Sequence, residues 1–80
     1  MAQRKTLADL EEGKEATIKE ICGPNSVRTR LIEMGLVRGI KVRMLGRAPL
    51  GDPIEIRVRG CALALRVEEA KQILIEEPAS

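Results

Sequence analysis

The sequence predicts an all-β fold with short helices: a small antiparallel barrel, as three observations indicate. Ile40-Val42-Met44, Ile54-Ile56-Val58 and Cys61-Leu63-Leu65 are apolar at every second position, which gives each strand one apolar and one mostly polar face. Turn formers separate the runs: Ala48-Pro49-Leu50-Gly51-Asp52-Pro53 and Gly60. Apolar spacing turns helical only over Val27-Leu31-Met34 and again after Val67. Three striped segments have to bury their apolar faces, and a sheet of four or five short strands does so by curling, which also hides its edges.

The elements follow in order. Thr6-Leu7-Ala8-Asp9-Leu10 leads into the turn at Glu12-Gly13. Glu15–Cys22 reads as a strand with Ala16 and Ile18 on one face; Ile21 is out of phase, and a β-bulge near Lys19–Glu20 returns it to the core side. Gly23-Pro24-Asn25-Ser26 breaks the strand and offers Asn25 or Ser26 as a helix cap. A helix of about two to three turns follows, with Val27, Leu31 and Met34 on its apolar stripe. Gly35 sits where a left-handed residue ends a helix, and Leu36 is placed to fold back on Leu31 or Ile32. After Val37-Arg38-Gly39 come the three striped strands. Val67–Ile75 closes the chain as a second helix, with Val67, Ala70 and Leu74 or Ile73 inward and Glu68 and Glu69 at its positive end. No Ser, Thr, Asp or Asn precedes that helix to cap it.

Eighty residues make one domain, residues 1–80, and 44% hydrophobic with 32% charged residues is a globular composition. The chain contains no His, Phe, Tyr or Trp, so the core is aliphatic. Without His there is no Ser-His-Asp arrangement and no base for Cys22 or Cys61. Asp52 and Glu55 fall on a turn and a polar strand face, where nothing separates their roles as acid and base. The expectation is a protein that is not an enzyme. Without rings there is also no base-stacking platform and no aromatic groove for proline-rich peptides. The longest apolar run, Cys61–Leu65, is too short to span a membrane. The charged N-terminus has no signal-peptide core, and two cysteines make no disulfide framework. A cytoplasmic protein without direct membrane insertion is expected.

Charge is segmented. Residues 1–35 balance. Residues 36–66 carry Arg38, Lys41, Arg43, Arg47, Arg57, Arg59 and Arg66 against Asp52 and Glu55 only, and residues 67–80 carry four acidic groups against Lys71. The basic middle suits an acidic protein face or phosphate. Arg43, Arg57 and Arg59 provide non-specific phosphate contacts at most, so no specific nucleic acid is expected. Gly46 and Gly51 have phosphate-loop spacing, but Asp52 and Pro53 follow where Lys and Ser or Thr belong; the segment is read as a turn.

In sequence order, Thr6-Leu7-Ala8-Asp9-Leu10 with Gly13, Arg30-Leu31-Ile32-Glu33-Met34-Gly35-Leu36, Val37-Arg38-Gly39, Arg47-Ala48-Pro49-Leu50-Gly51-Asp52-Pro53-Ile54-Glu55-Ile56-Arg57-Val58-Arg59-Gly60 and Leu63-Ala64-Leu65-Arg66-Val67-Glu68-Glu69-Ala70 resemble the FeoA family of bacterial ferrous iron transport proteins. The resemblance covers Thr6 to Glu76. It implies an SH3-like barrel of about five strands, with one helix inserted after the first long strand and one C-terminal helix. It also implies an accessory or regulatory role through contact with FeoB, the membrane transporter whose cytosolic end is a GTP-binding domain. A related barrel forms the C-terminal domain of iron-dependent repressors, so a metal-responsive barrel is the alternative and a non-specific nucleic-acid-binding barrel the third reading. Iron or another transition metal enters only through this family context; no cofactor follows from the residues.

Cys22 and Cys61 are weak metal candidates, because two thiolates do not close a site; the simpler reading is two small buried hydrophobes. Leu50 is the sharper candidate. Flanked by Pro49 and Gly51 at a loop tip, it either folds back as a lid or stands out as an interface anchor. Met34 and Leu36 at the helix end would extend such an anchor, and Arg47, Arg28 and Arg30 would supply a basic rim. The surface suits a second copy of the chain, as a homodimer, as well as a foreign partner.

Overall fold

A computed structural model describes residues 5–78. A short 3-10 turn, Leu7–Asp9, precedes β1 (Glu15–Ile21), α1 (Asn25–Glu33), β2 (Lys41–Arg47), β3 (Ile54–Val58), β4 (Cys61–Leu65), α2 (Val67–Ala70) and β5 (Ile73–Glu76). The strands form one antiparallel sheet in the order β4-β3-β2-β1-β5. Leu65 of β4 and Ile73 and Ile75 of β5, from opposite ends of that order, share one core cluster, so the sheet curls round it. This is the expected barrel.

Period-two stripes become strands because their alternate residues leave water together. In β3, Ile54, Ile56 and Val58 are buried while Glu55 and Arg57 are exposed; in β2, Val42 and Met44 are buried between exposed Lys41 and Arg43. β2 also holds an extra residue, Leu45, between the pairs Met44↔Ile56 and Gly46↔Glu55. In β1 the register slips between Ile18 and Glu20, which is the expected bulge, and Ile21 packs against the core.

The helix α1 ends as the sequence predicts. Gly35 takes φ +93, the Leu36 N–H donates to the Leu31 carbonyl at 3.0 Å, and the Gly35 N–H donates to the Ile32 carbonyl at 2.9 Å. This is the Schellman pattern, and it drives Leu36 fully into the core. Its start differs from expectation. Asn25 is already helical, the cap position is Pro24, and no side chain caps the first turn. With Pro24 fixed in an extended conformation (φ −61, ψ 153), the chain turns helical one residue before an Asn or Ser side chain can reach back.

The second difference lies at the C-terminus. The expected helix Val67–Ile75 is helical only over Val67–Ala70, and Ile73–Glu76 is a fifth strand on β1 with pairs Ile21↔Ile73, Glu20↔Leu74 and Ile18↔Ile75. Ile73 and Ile75 are buried and Leu74 is half-buried, so the working period here is two. β1 had a free edge, and two β-branched residues fit that pleated surface better than a helix. The helix that remains is capped from afar: Asp52 Oδ1 accepts the Val67 N–H at 3.2 Å, and Glu69 Oε1 accepts the Arg66 N–H at 3.0 Å. The outer side of β5 is closed in turn. Thr6 bridges Leu74, the Ile75 N–H donates to the Lys5 carbonyl at 3.0 Å, and Lys5 Nζ meets Glu77 at 2.6 Å. That hydrogen bond and the Glu77 charge hold the exposed Lys5 ammonium pKa above its ordinary value.

Candidate functional site

The segment between β2 and β3 builds the most prominent feature of the surface. Pro49 presets φ for the second position of a turn, and the Gly51 N–H donates to the Ala48 carbonyl at 2.7 Å, which closes the turn Ala48-Pro49-Leu50-Gly51. The Ala48 N–H donates to the Pro53 carbonyl at 3.0 Å and closes the neck of the loop. Leu50 occupies the apex and is 96% exposed. Of the two sequence readings of Leu50, the lid is excluded, since a lid would be covered.

Both ends of this loop are tied to other elements. Before it, the Arg47 guanidinium donates to the carbonyls of Ala8 at 2.7 Å and Leu10 at 3.2 Å. After it, Asp52 holds the first turn of α2. A shallow depression beside Leu50 is lined by Arg30, Asp52, Pro53, Leu65, Arg66 and Glu69. Within it Arg30 pairs with Glu69 at 3.0 Å; the Glu69 side chain is 11% exposed, the Arg30 side chain 66%. Glu69 therefore anchors Arg30 to α2 while most of the guanidinium stays in water. A fixed aliphatic knob stands beside a held cation and a second, Arg66, that makes no ion pair among the described residues, a geometry suited to adhesion.

The structure sorts the predicted partner residues into different places. Leu50 and Arg30 come together. Leu36 is fully buried and is a core residue, because the Schellman ending that places it folds it inward. Met34 is half-buried against the core. Arg47 is a strut rather than a rim residue, its guanidinium committed to backbone carbonyls. Arg28 lies in a separate depression with Lys19, Glu20, Ile21, Ile32 and Arg38, where Ile32 is 48% exposed. Sequence reasoning missed Arg66, Asp52 and Glu69. The Arg66-Val67-Glu68-Glu69 spacing, with Glu three residues after the cap position, was a signal for Glu69; no local signal marks Asp52, whose partner lies fifteen residues away.

The two cysteines do not meet. Cys61 pairs with Val58, in the row that continues through Val42 to Ala16 near the start of β1, whereas Cys22 follows the far end of β1. Cys61 is exposed and Cys22 half-buried, so the reading of two buried hydrophobes fails for Cys61, which stands at a hairpin end. Among the described residues no three Cys, Asp or Glu side chains gather as metal ligands; this donor set does not fit a closed transition-metal site. No helix of the described residues is long and apolar enough to cross a membrane.

Comparison with known proteins gives the family. The FeoA domain model matches residues 5–77. An Fe(2+) transport protein A/Fe(2+) transporter FeoB fusion protein of Porphyromonas gingivalis is 36% identical over 70 residues, which is 88% of this chain and 8% of that protein; the chain thus spans under a tenth of that relative's length. The structure of a FeoA-like protein from Clostridium acetobutylicum superposes with a TM-score of 0.89 at 38% identity, covering 100% of this chain and 93% of that one. FeoA from Stenotrophomonas maltophilia, crystallised with zinc and described as a prokaryotic SH3 domain protein, superposes with a TM-score of 0.79 at 32% identity over 90% of this chain and 89% of that one. A manganese-dependent transcriptional repressor shares the fold at 15% identity, with a TM-score of 0.85 over 98% of this chain and 44% of that one. On the domain match and these identities, the chain belongs to the FeoA family of ferrous iron transport proteins.

Proposed function

We propose that residues 1–80 act as one non-enzymatic, cytoplasmic module that modulates ferrous iron uptake by docking on the soluble GTP-binding domain of a FeoB-like transporter. The observation that carries this reading is Leu50, almost wholly exposed on a loop tied at both ends. A bulky aliphatic group held in water has an unmet burial of about 2 kcal/mol, and a loop already fixed loses little entropy when a partner covers it. Arg30 and Arg66 flank it with positive charge, which suits an acidic face. Fusion of the corresponding domain to FeoB in the Porphyromonas relative supports the choice of partner, since one chain keeps both at high effective concentration.

The test is direct. Leu50→Glu leaves the melting temperature within about 2 °C, because nothing packs on that side chain, and weakens binding to the transporter's soluble domain at least tenfold by calorimetry. An unchanged dissociation constant rejects the anchor. The metal-responsive reading has less support, because it needs donors from a second chain; stoichiometric Fe(II) binding by the isolated chain would favour it.

A further inference from the structure

β4 is the open edge of the sheet. It lies at one end of the strand order and pairs with β3 alone, and among the described residues no backbone hydrogen bond reaches its other side. The opposite edge, β5, is covered by Lys5 and Thr6. Arg59 (φ 52) and Gly60 (φ 80) form a two-residue hairpin turn, which makes Val58↔Cys61 its hydrogen-bonded closing pair. Alternation along the ladder then turns the backbone groups of Cys61, Leu63 and Leu65 toward β3 and those of Ala62 and Ala64 outward. This edge has none of the usual protections. Cys61-Ala62-Leu63-Ala64-Leu65 contains no charge and no proline, and its pairing has no bulge.

We infer that β4 pairs antiparallel with β4 of a second copy, about a two-fold axis through Leu63. That register matches Ala62 with Ala64 of the second copy and Ala64 with Ala62, and all the outward N–H and C=O groups of these residues find partners. The alanine methyls let the strands approach freely. Charge complementarity selects this occupant. On the outer face Arg57 stands beside Ala62 and Glu55 beside Ala64, so each cross-interface row runs Arg57, Ala62, then Ala64 and Glu55 of the second copy. Two such rows, related by the axis, set opposite charges facing each other across small side chains. On the inner face the half-buried Leu63 meets its own copy. A five-residue edge buries much less than the ~1,600 Å² of a standard interface, so the dimer is weak and forms as concentration rises.

Sedimentation of the full chain up to ~1 mM tests this. The expected result is a reversible monomer–dimer equilibrium. Arg57→Glu or Glu55→Arg alone weakens it about tenfold, and the two together restore it to within about threefold. In a Cys22→Ser, Cys61→Ser background, Leu63→Cys oxidises to a covalent dimer across the axis, while Ala64→Cys does not, because its copy lies beyond disulfide reach. The charge variants lie on the exposed face and keep the fold, so they decide the matter even if Leu63→Cys unfolds. A monomer at every concentration, charge reversals that add without mutual rescue, or equal cross-linking through Ala64→Cys would each overturn the inference. So would a monomer that instead accepts an extended foreign peptide along β4.

Discussion

Arg47, the last residue of β2, and Leu50, at the apex of the loop that follows, stand three positions apart and do opposite work. The sequence marks both as unusual for the same reason: a large side chain beside turn formers. It cannot separate them, because the partners of Arg47 are backbone carbonyls at Ala8 and Leu10, and carbonyls leave no trace in residue identity. Removing Arg47 leaves two acceptors to water and frees the Leu7–Asp9 turn from the sheet. Arg47→Ala is therefore expected to cost about 1–2 kcal/mol, a fall in melting temperature of roughly 5–12 °C in a thermal scan. Leu50→Glu leaves it nearly unchanged. Equal melting temperatures for the two variants would contradict the assignment of strut and knob. Leu36 was misplaced for a related reason. Its backbone role was legible from Gly35, but a Schellman ending carries the residue after the glycine inward against the helix, so the feature that made Leu36 noticeable also takes it off the surface.

At the scale of elements, strands β2 to β4 were legible because their alternate apolar residues turn toward the core: Val42 and Met44 up to the extra residue Leu45, Ile54, Ile56 and Val58 throughout, and Leu63 and Leu65 at the end of β4. The C-terminal stretch was not. Val67, Ala70 and Leu74 satisfy a helical stripe, and Ile73 with Ile75 satisfy a strand stripe in the same nine residues. What decides is tertiary: a free edge on β1 and an Asp52 carboxylate fifteen residues upstream that caps a one-turn helix. The β3–β4 hairpin contains a local conflict of another kind. Arg59 adopts φ 52, a left-handed conformation that asparagine accepts far more readily. Arg59→Asn is expected to stabilise the protein by about 0.5–1 kcal/mol in chemical denaturation with an unchanged slope. A destabilised variant would mean that the Arg59 side chain holds the turn through a contact of its own.

For the whole molecule, composition already limited the chemistry. A chain without imidazole or aromatic rings has no ring on which to stack bases, and most of its large aliphatic residues are buried in the core, with Leu50 and Ile32 left in water. What remains outside is charge, a tied loop and an open strand edge. Arg43 lies directly opposite Arg57 across β2 and β3 with no ion pair among the described residues, a like-charge neighbour that costs stability and keeps this face of the barrel positive. The family resemblance was legible along nearly the whole chain because its signatures are turns, and turns demand particular residues. The proposed docking surface was legible only in part, since it is assembled from the β2–β3 loop, α1 and α2, which are distant in sequence.

The most direct measurement is a map of amide chemical-shift changes in the isotope-labelled chain as the soluble GTP-binding domain of a FeoB-like transporter is added. Shifts concentrated on Ala48–Pro53, Arg30 and Arg66 are the expected result. Changes confined to the opposite side, around Lys5 and Glu77, or no change at saturating partner, would contradict the docking surface proposed for this protein.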